Sequence, residues 1–187
     1  MEDNAQMPSY WPSVIVGALF VSILTSIIAT IYLYYLAGSE PTISLVMKSS
    51  LLLPITCLFG LVGGIISTRH YATTHEITFA IGKGATIGFL TGVVAAAINA
   101  VIGQVWMFID PALLDNFANN LVAALSQMEM PAAQREEALA RMTENFERQK
   151  SLSGILMGTG INMLVLGVVN LITGIIGAKI YAKEEES

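Results

Sequence analysis

The chain of 187 residues carries little charge. Asp, Glu, Lys and Arg make up 12% of it, against about 25% in a typical soluble domain. Four stretches contain none of these residues: Val14–Ala37, Ser49–Ser67, Gly84–Ile109 and Gly154–Ala178, which are 24, 19, 26 and 25 residues long. A soluble globule or a disordered chain cannot be built on that pattern. Cysteine occurs once, at Cys57, so neither an internal disulfide nor a cysteine zinc cluster can form. Cys57 reads as a small packed apolar residue. There is no excess of basic residues, the net charge being −5, and nucleic acid is excluded as a partner.

Ionisable residues are also missing from inside the four stretches, histidine included. Such residues within a bilayer mark proton relays, ion paths and counter-ions. Their absence speaks against a proton-driven carrier, a pump or a membrane cytochrome. The sequence therefore points to a protein that is not an enzyme, with no catalytic set, no cofactor and no metal site.

What is present is length and hydrophobicity. Apolar residues make up 54%, and roughly 20 in a row suffice to cross a hydrocarbon core about 30 Å thick. The expected fold is an all-α polytopic membrane protein of four spans, at about 12–37, 45–67, 78–109 and 152–181. These form a single membrane domain over 1–187, with the lipid bilayer as its surroundings. Residues 110–150 form an amphipathic helical insert outside the membrane. Tyr10 and Trp11 precede the first span, and Tyr32, Tyr34 and Tyr35 close it, as rings that favour the headgroup level do. The leader carries Glu2 and Asp3 and no basic residue, and the apolar run after it is too long for a signal peptide. The first span is thus expected to be retained.

Pro54 lies inside the second span and predicts a kink there. The polar segment 68–76 reads as a loop. Asp110-Pro111 predicts a helix start with Asp110 as cap. Leu114, Phe117, Leu121, Leu125 and Met128 then recur at helical spacing. They form a face too apolar to leave in water, so it should lie on the membrane surface or on a partner. A second insert helix starts at Pro131 and, with no Pro or Gly between Arg135 and Gly154, is expected to run straight into the fourth span.

Four spans place both termini on one side. Arg69, Lys83, Lys179 and Lys183 fall on that side, and Lys48, Arg135, Arg141, Arg148 and Lys150 on the other. The raw count does not decide the orientation. Charges packed against span ends weigh more than those in a folded insert, which favours cytoplasmic termini in a bacterial inner membrane.

The candidate functional residues are small or polar. Gly84, Gly88, Gly92, Ala96 and Ala100 recur every fourth residue in the third span. Gly60 and Gly64 do so in the second span, and Gly154 and Gly158 in the fourth. Small residues four apart let helix backbones approach closely in lipid. Asn99, Gln104, Asn162 and Asn170 are the amides within spans, available for interhelical hydrogen bonds or, alternatively, to line a polar path. His70 and His75 lie about 140° apart on a helix of 3.6 residues per turn, so one face does not collect them for a metal, and they read as solvated loop residues. Lys83, between glycines, lacks phosphate-loop spacing and reads as an interfacial lysine. The carboxylates of the insert read as solvated helix faces.

Tyr10-Trp11 ahead of a span containing Gly17, the start Gly82-Lys83-Gly84, the junction Ile109-Asp110-Pro111 and the acidic insert together carry a resemblance. The chain resembles a family of small bacterial integral membrane proteins known only as a domain of unknown function. The resemblance implies the four-span fold and brings no functional residues with it. Two functions fit this sequence. One is an accessory or scaffold subunit packing its glycine faces against a membrane-protein partner or a second copy. The other is a small transporter or channel component, with an oligomer building the path.

Overall fold

The structure, a computed structural model, describes residues 8–181. Glu2, Asp3, Lys183 and the acidic tail lie outside the described residues. The described chain is helical: α1 Trp11–Ala37, α2 Ile43–Ser49, α3 Leu52–Gly60, α4 Val62–His75, α5 Ile81–Ile109, α6 Ala112–Ser126, α7 Ala132–Lys150 and α8 Leu152–Tyr181. Four stretches are long and apolar enough to cross a membrane: α1, Ile43–His75 (α2 to α4), α5 and α8, of 27, 33, 29 and 30 residues. At 1.5 Å per residue each exceeds a hydrocarbon core about 30 Å thick. The protein is an all-α, four-span membrane protein with a helical insert between the third and fourth spans.

The second span differs from its sequence reading in two ways. It continues past Ser67 to His75, so residues 68–75 are helix and not loop. The reason is burial: Ser67, Thr68, Tyr71 and Ala72 keep helical spacing and are buried. Glu76 ends the helix in the left-handed region, at φ 52°. The span is broken at Ser50–Leu51, where the sequence predicts a kink, and again at Leu61, where the sequence gives no such signal. Pro54 accounts for the first break, since its ring nitrogen cannot donate to the carbonyl of Ser50 four residues back.

The structure divides into two compact units. One comprises Met1–Ser22, Gly60–Ala96 and Met163–Ser187. Its apolar core is Val14, Tyr71, Ala72, Phe79, Ile87 and Ala178. Tyr71 is fully buried, and its hydroxyl donates to the Pro8 carbonyl at 2.9 Å.

The other unit comprises Ile23–Phe59 and Ala97–Asn162 and holds the insert. Here α6 covers its apolar face with its own chain: Phe117, Leu121 and Ala124 pack with Leu36 of α1 and Leu45 of α2. On its other flank α7 runs antiparallel, with Phe146 edge-on to Phe117 at 5.9 Å and Lys150 paired to Asp115 at 2.7 Å. Burying side chains of this size is worth about 1.5–3 kcal/mol each where water is the alternative. That is why an otherwise charged insert closes as a hairpin. The Asp115 carboxylate, accepting a hydrogen bond from Lys150, raises the lysine above its ordinary pKa.

Two expectations about the insert are corrected. Asp110 does not cap α6: no side-chain cap bond is made there, because its carboxylate accepts the Tyr34 hydroxyl at 2.8 Å. Nor does α7 run into α8. Ser151 is extended, at φ −78° and ψ 148°, and its hydroxyl accepts the Gly154 amide at 3.1 Å. It caps α8, which is what a serine three residues before a free amide does.

Candidate helix-packing and polar sites in the spans

In the first unit α5 and α8 meet backbone to backbone. Gly84, Gly88 and Gly92 are buried. A Cβ at Gly88 would overlap the Asn170 carbonyl and stand 2.9 Å from the Gly174 Cα. One at Gly84 would stand 2.7 Å from the Gly174 carbonyl oxygen, and one at Gly92 would overlap the Leu166 carbonyl. The opposing face is equally bare, since a Cβ at Gly174 would overlap the Gly84 carbonyl. With no side chains between them, dispersion and Cα–H···O contacts act directly between backbones. Ala96 is buried as well, and Ala100 is half-buried.

The same stretch of α8 serves α4. A Cβ at Gly64 would overlap the Asn170 carbonyl and lie 2.5 Å from the Gly174 amide nitrogen. Gly60 has only the end of Leu166 near it, at 3.0 Å, a contact that a rotamer change relieves. The α1 contribution is Gly17, whose Cβ would meet Ser67 at 2.8 Å and the Gly63 carbonyl at 3.1 Å. Gly63, Gly167, Gly174 and Gly177 thus belong to the packed set. Gly167 and Gly174 stand in the fourth-span sequence seven residues apart, a spacing that places both on one helix face.

The early glycines of α8 do not belong to that set. Gly158 is exposed, and a Cβ there would meet nothing within 4 Å. Gly154 packs on the preceding turn and not on another span, since a Cβ would overlap the Arg148 carbonyl. The chain leaves helical geometry at Ser151, and a glycine at 154 leaves room for the Arg148 carbonyl.

The four amides divide in the same way. Asn170 is fully buried. Its Oδ1 accepts the Gly64 amide at 2.7 Å, and its Nδ2 donates to the Leu166 carbonyl at 2.9 Å. Gly64 is the third residue of α4, where an amide has no partner inside its own helix. A side chain from α8 therefore caps α4 from outside, just after the break at Leu61, a position where leucine itself can supply no cap. In the second unit, Asn99 Oδ1 accepts the Ser26 hydroxyl at 3.0 Å, and its Nδ2 donates to Thr25 at 3.2 Å. Gln104 is half-buried and Asn162 exposed, and neither has a hydrogen-bond partner among the described residues.

The polar residues near the span ends take structural partners. His70, read from the sequence as a solvated loop residue, sits on α4 with its Nδ1 2.9 Å from the hydroxyl of the fully buried Ser13. His75 packs edge-on to Tyr71 at 5.2 Å. Lys83 lies over the Tyr10 ring at 4.9 Å, Arg69 over Tyr181 at 5.8 Å and Lys48 over Tyr35 at 5.2 Å. Cation–π contacts of this kind suit lysines and arginines held at an interface. Cys57 is half-buried and free. Among the described residues no three of His, Cys, Asp and Glu gather to hold a metal ion.

No curated protein and no solved structure matches the chain. The model of a family described as "Protein of unknown function (DUF4199)" matches residues 14–181. That match takes in nearly all of the four apolar spans together with the insert and its junctions, and the chain belongs to this family.

Proposed function

We propose that this protein is a non-enzymatic accessory or scaffold subunit of the bacterial cytoplasmic membrane, with both termini on the cytoplasmic side, packing against partner helices. The observation that carries this reading is the use made of the intramembrane amides. Asn170 and Asn99, two of the four groups on which a polar path would depend, hold helices together. Around Asn170 the backbones of α4, α5 and α8 are in contact, which suits a rigid packing element better than a conduit. Outward, the spans present large apolar side chains such as Ile31, Leu58, Leu164 and Ile172, each more than half exposed and suited to lipid or to another helix.

The competing reading, a small transporter or channel component acting as an oligomer, draws on Gln104 and Asn162. Purification of the full chain from its native membrane in mild detergent tests the choice. A stable, stoichiometric partner is expected. A chain that purifies without one and carries solute flux in proteoliposomes would overturn the proposal.

A further inference from the structure

We propose that the first half of α8 pairs in parallel with the same helix half of a second copy, across Gly158 and Asn162. This rests on the reading of the chain as a packing subunit and names its partner.

The observation is a polar group left without a partner among the described residues. Asn162 lies four residues from the middle of the uncharged run Gly154–Ala178, about 6 Å along the helix axis. In a spanning helix that is within the hydrocarbon, where no water reaches. The amide is exposed and has no hydrogen-bond partner among the described residues, unlike Asn99 and Asn170. A polar group kept from water requires a partner. The helix around it is bare: Leu152, Leu156, Met157 and Ile161 are 73%, 64%, 60% and 51% exposed. Gly158, one turn away on the same face, opens onto free space.

The chemistry of the amide selects the occupant. A carboxamide donates and accepts at once. Two copies inserted the same way carry Asn162 at the same depth. A two-fold axis along the membrane normal therefore sets amide against amide, each donating to the other. Gly158 removes the side chain that would hold the two backbones apart. A different protein would need a polar group of its own at that depth.

The test uses the full chain with Cys57→Ala, in phosphatidylethanolamine–phosphatidylglycerol vesicles. Single cysteines are placed on the face (Gly158→Cys, Val165→Cys) and off it (Leu156→Cys), and oxidised. Disulfide-linked dimers are expected from the first two and not from the third. Asn162→Leu should weaken association about 3- to 30-fold, the range of interhelical amide bonds in membranes, with Asn162→Gln retaining part of it. Because Asn162 is exposed and makes no hydrogen bond among the described residues, both variants should keep the fold of the monomer, and far-UV circular dichroism matching the parent keeps a loss of dimer separate from a loss of fold. Association unchanged by Asn162→Leu, or cross-linking equal on both faces, would overturn the inference. Cross-linking of Gly158→Cys in native membranes to a different protein would overturn the second copy and leave the accessory reading standing. No cross-link and no co-purifying partner would overturn both.

Discussion

Gly88→Ala adds one methyl group to a 187-residue protein, and its consequence can be worked out from the α5–α8 contact. The new carbon would overlap the Asn170 carbonyl and stand 2.9 Å from the Gly174 Cα. Carbon atoms in good contact stay about 3.5–4.0 Å apart. Both obstacles are backbone, so no rotamer change relieves them, and the helices must part by about 1 Å. A gap of that size forfeits roughly a quarter to a half of each dispersion contact along the face. Overpacking in a filled core costs about 1–3 kcal/mol. Alanine returns at most about 1 kcal/mol of helix propensity, which leaves a net loss between about 0 and 3 kcal/mol, toward the upper end because both obstacles are backbone, and more for Gly88→Leu. Thermal unfolding in detergent, followed by a thiol-reactive dye on Cys57, measures it. That residue is the chain's one cysteine and is half-buried. A fall of several degrees is expected, at roughly 2–4 °C per kcal/mol for a protein of this size. Gly82→Ala and Gly103→Ala, which meet nothing within 4 Å, should leave the midpoint unchanged or raise it, and Leu90→Ile should be mild. A Gly88→Ala protein that melts with the wild type would refute the backbone-contact argument.

Three further outcomes can be checked in the same preparation. Asn170→Leu should destabilise more than Asn99→Ala, because it strands the buried Gly64 amide as well as removing an interhelical bond worth about 0.6–2 kcal/mol; equal melting temperatures would contradict this. Ser151→Ala should cost about 0.5–2 kcal/mol as the loss of a helix cap, and hydrogen exchange at the Gly154 amide should quicken. The raised Lys150 pKa means that its charged form is favoured in the folded hairpin. The stabilisation is therefore complete below the ordinary lysine range and is lost as pH climbs through and beyond it. Fluorescence quenching between labels on α6 and α7 should report loosening there in the wild type and a smaller change in Asp115→Asn.

The sequence carries the spans and the glycine face because both are periodic along one segment. The uncharged runs mark α1, α5 and α8 closely, and Gly84, Gly88 and Gly92 announce a bare helix face four residues at a time. Departures arise where a partner distant in sequence decides. Residues 68–75 look like a polar loop until Tyr71 is seen to be buried and Ser13 to meet His70 from 57 positions away. Asp110 looks like a cap until Tyr34, 76 positions earlier, takes its carboxylate. Ser151 did carry a readable signal, a capping residue three before Gly154, hidden by the absence of Pro or Gly in the run before it.

The role of Asn170 shows why amide content alone could not separate a conduit from a packing element. An asparagine in an apolar span is the same letter whether it faces a lumen, a lipid or another helix. What distinguishes Asn170 is a need created elsewhere. The second span breaks at Leu61, the break frees the Gly64 amide, and α8 lies close enough to answer it only because Gly64 and Gly174 have no side chains. The glycines and the amide are therefore one device. Filling either glycine should remove the hydrogen bond along with the close approach, so the effects of Gly174→Ala and Asn170→Leu should fall short of additive.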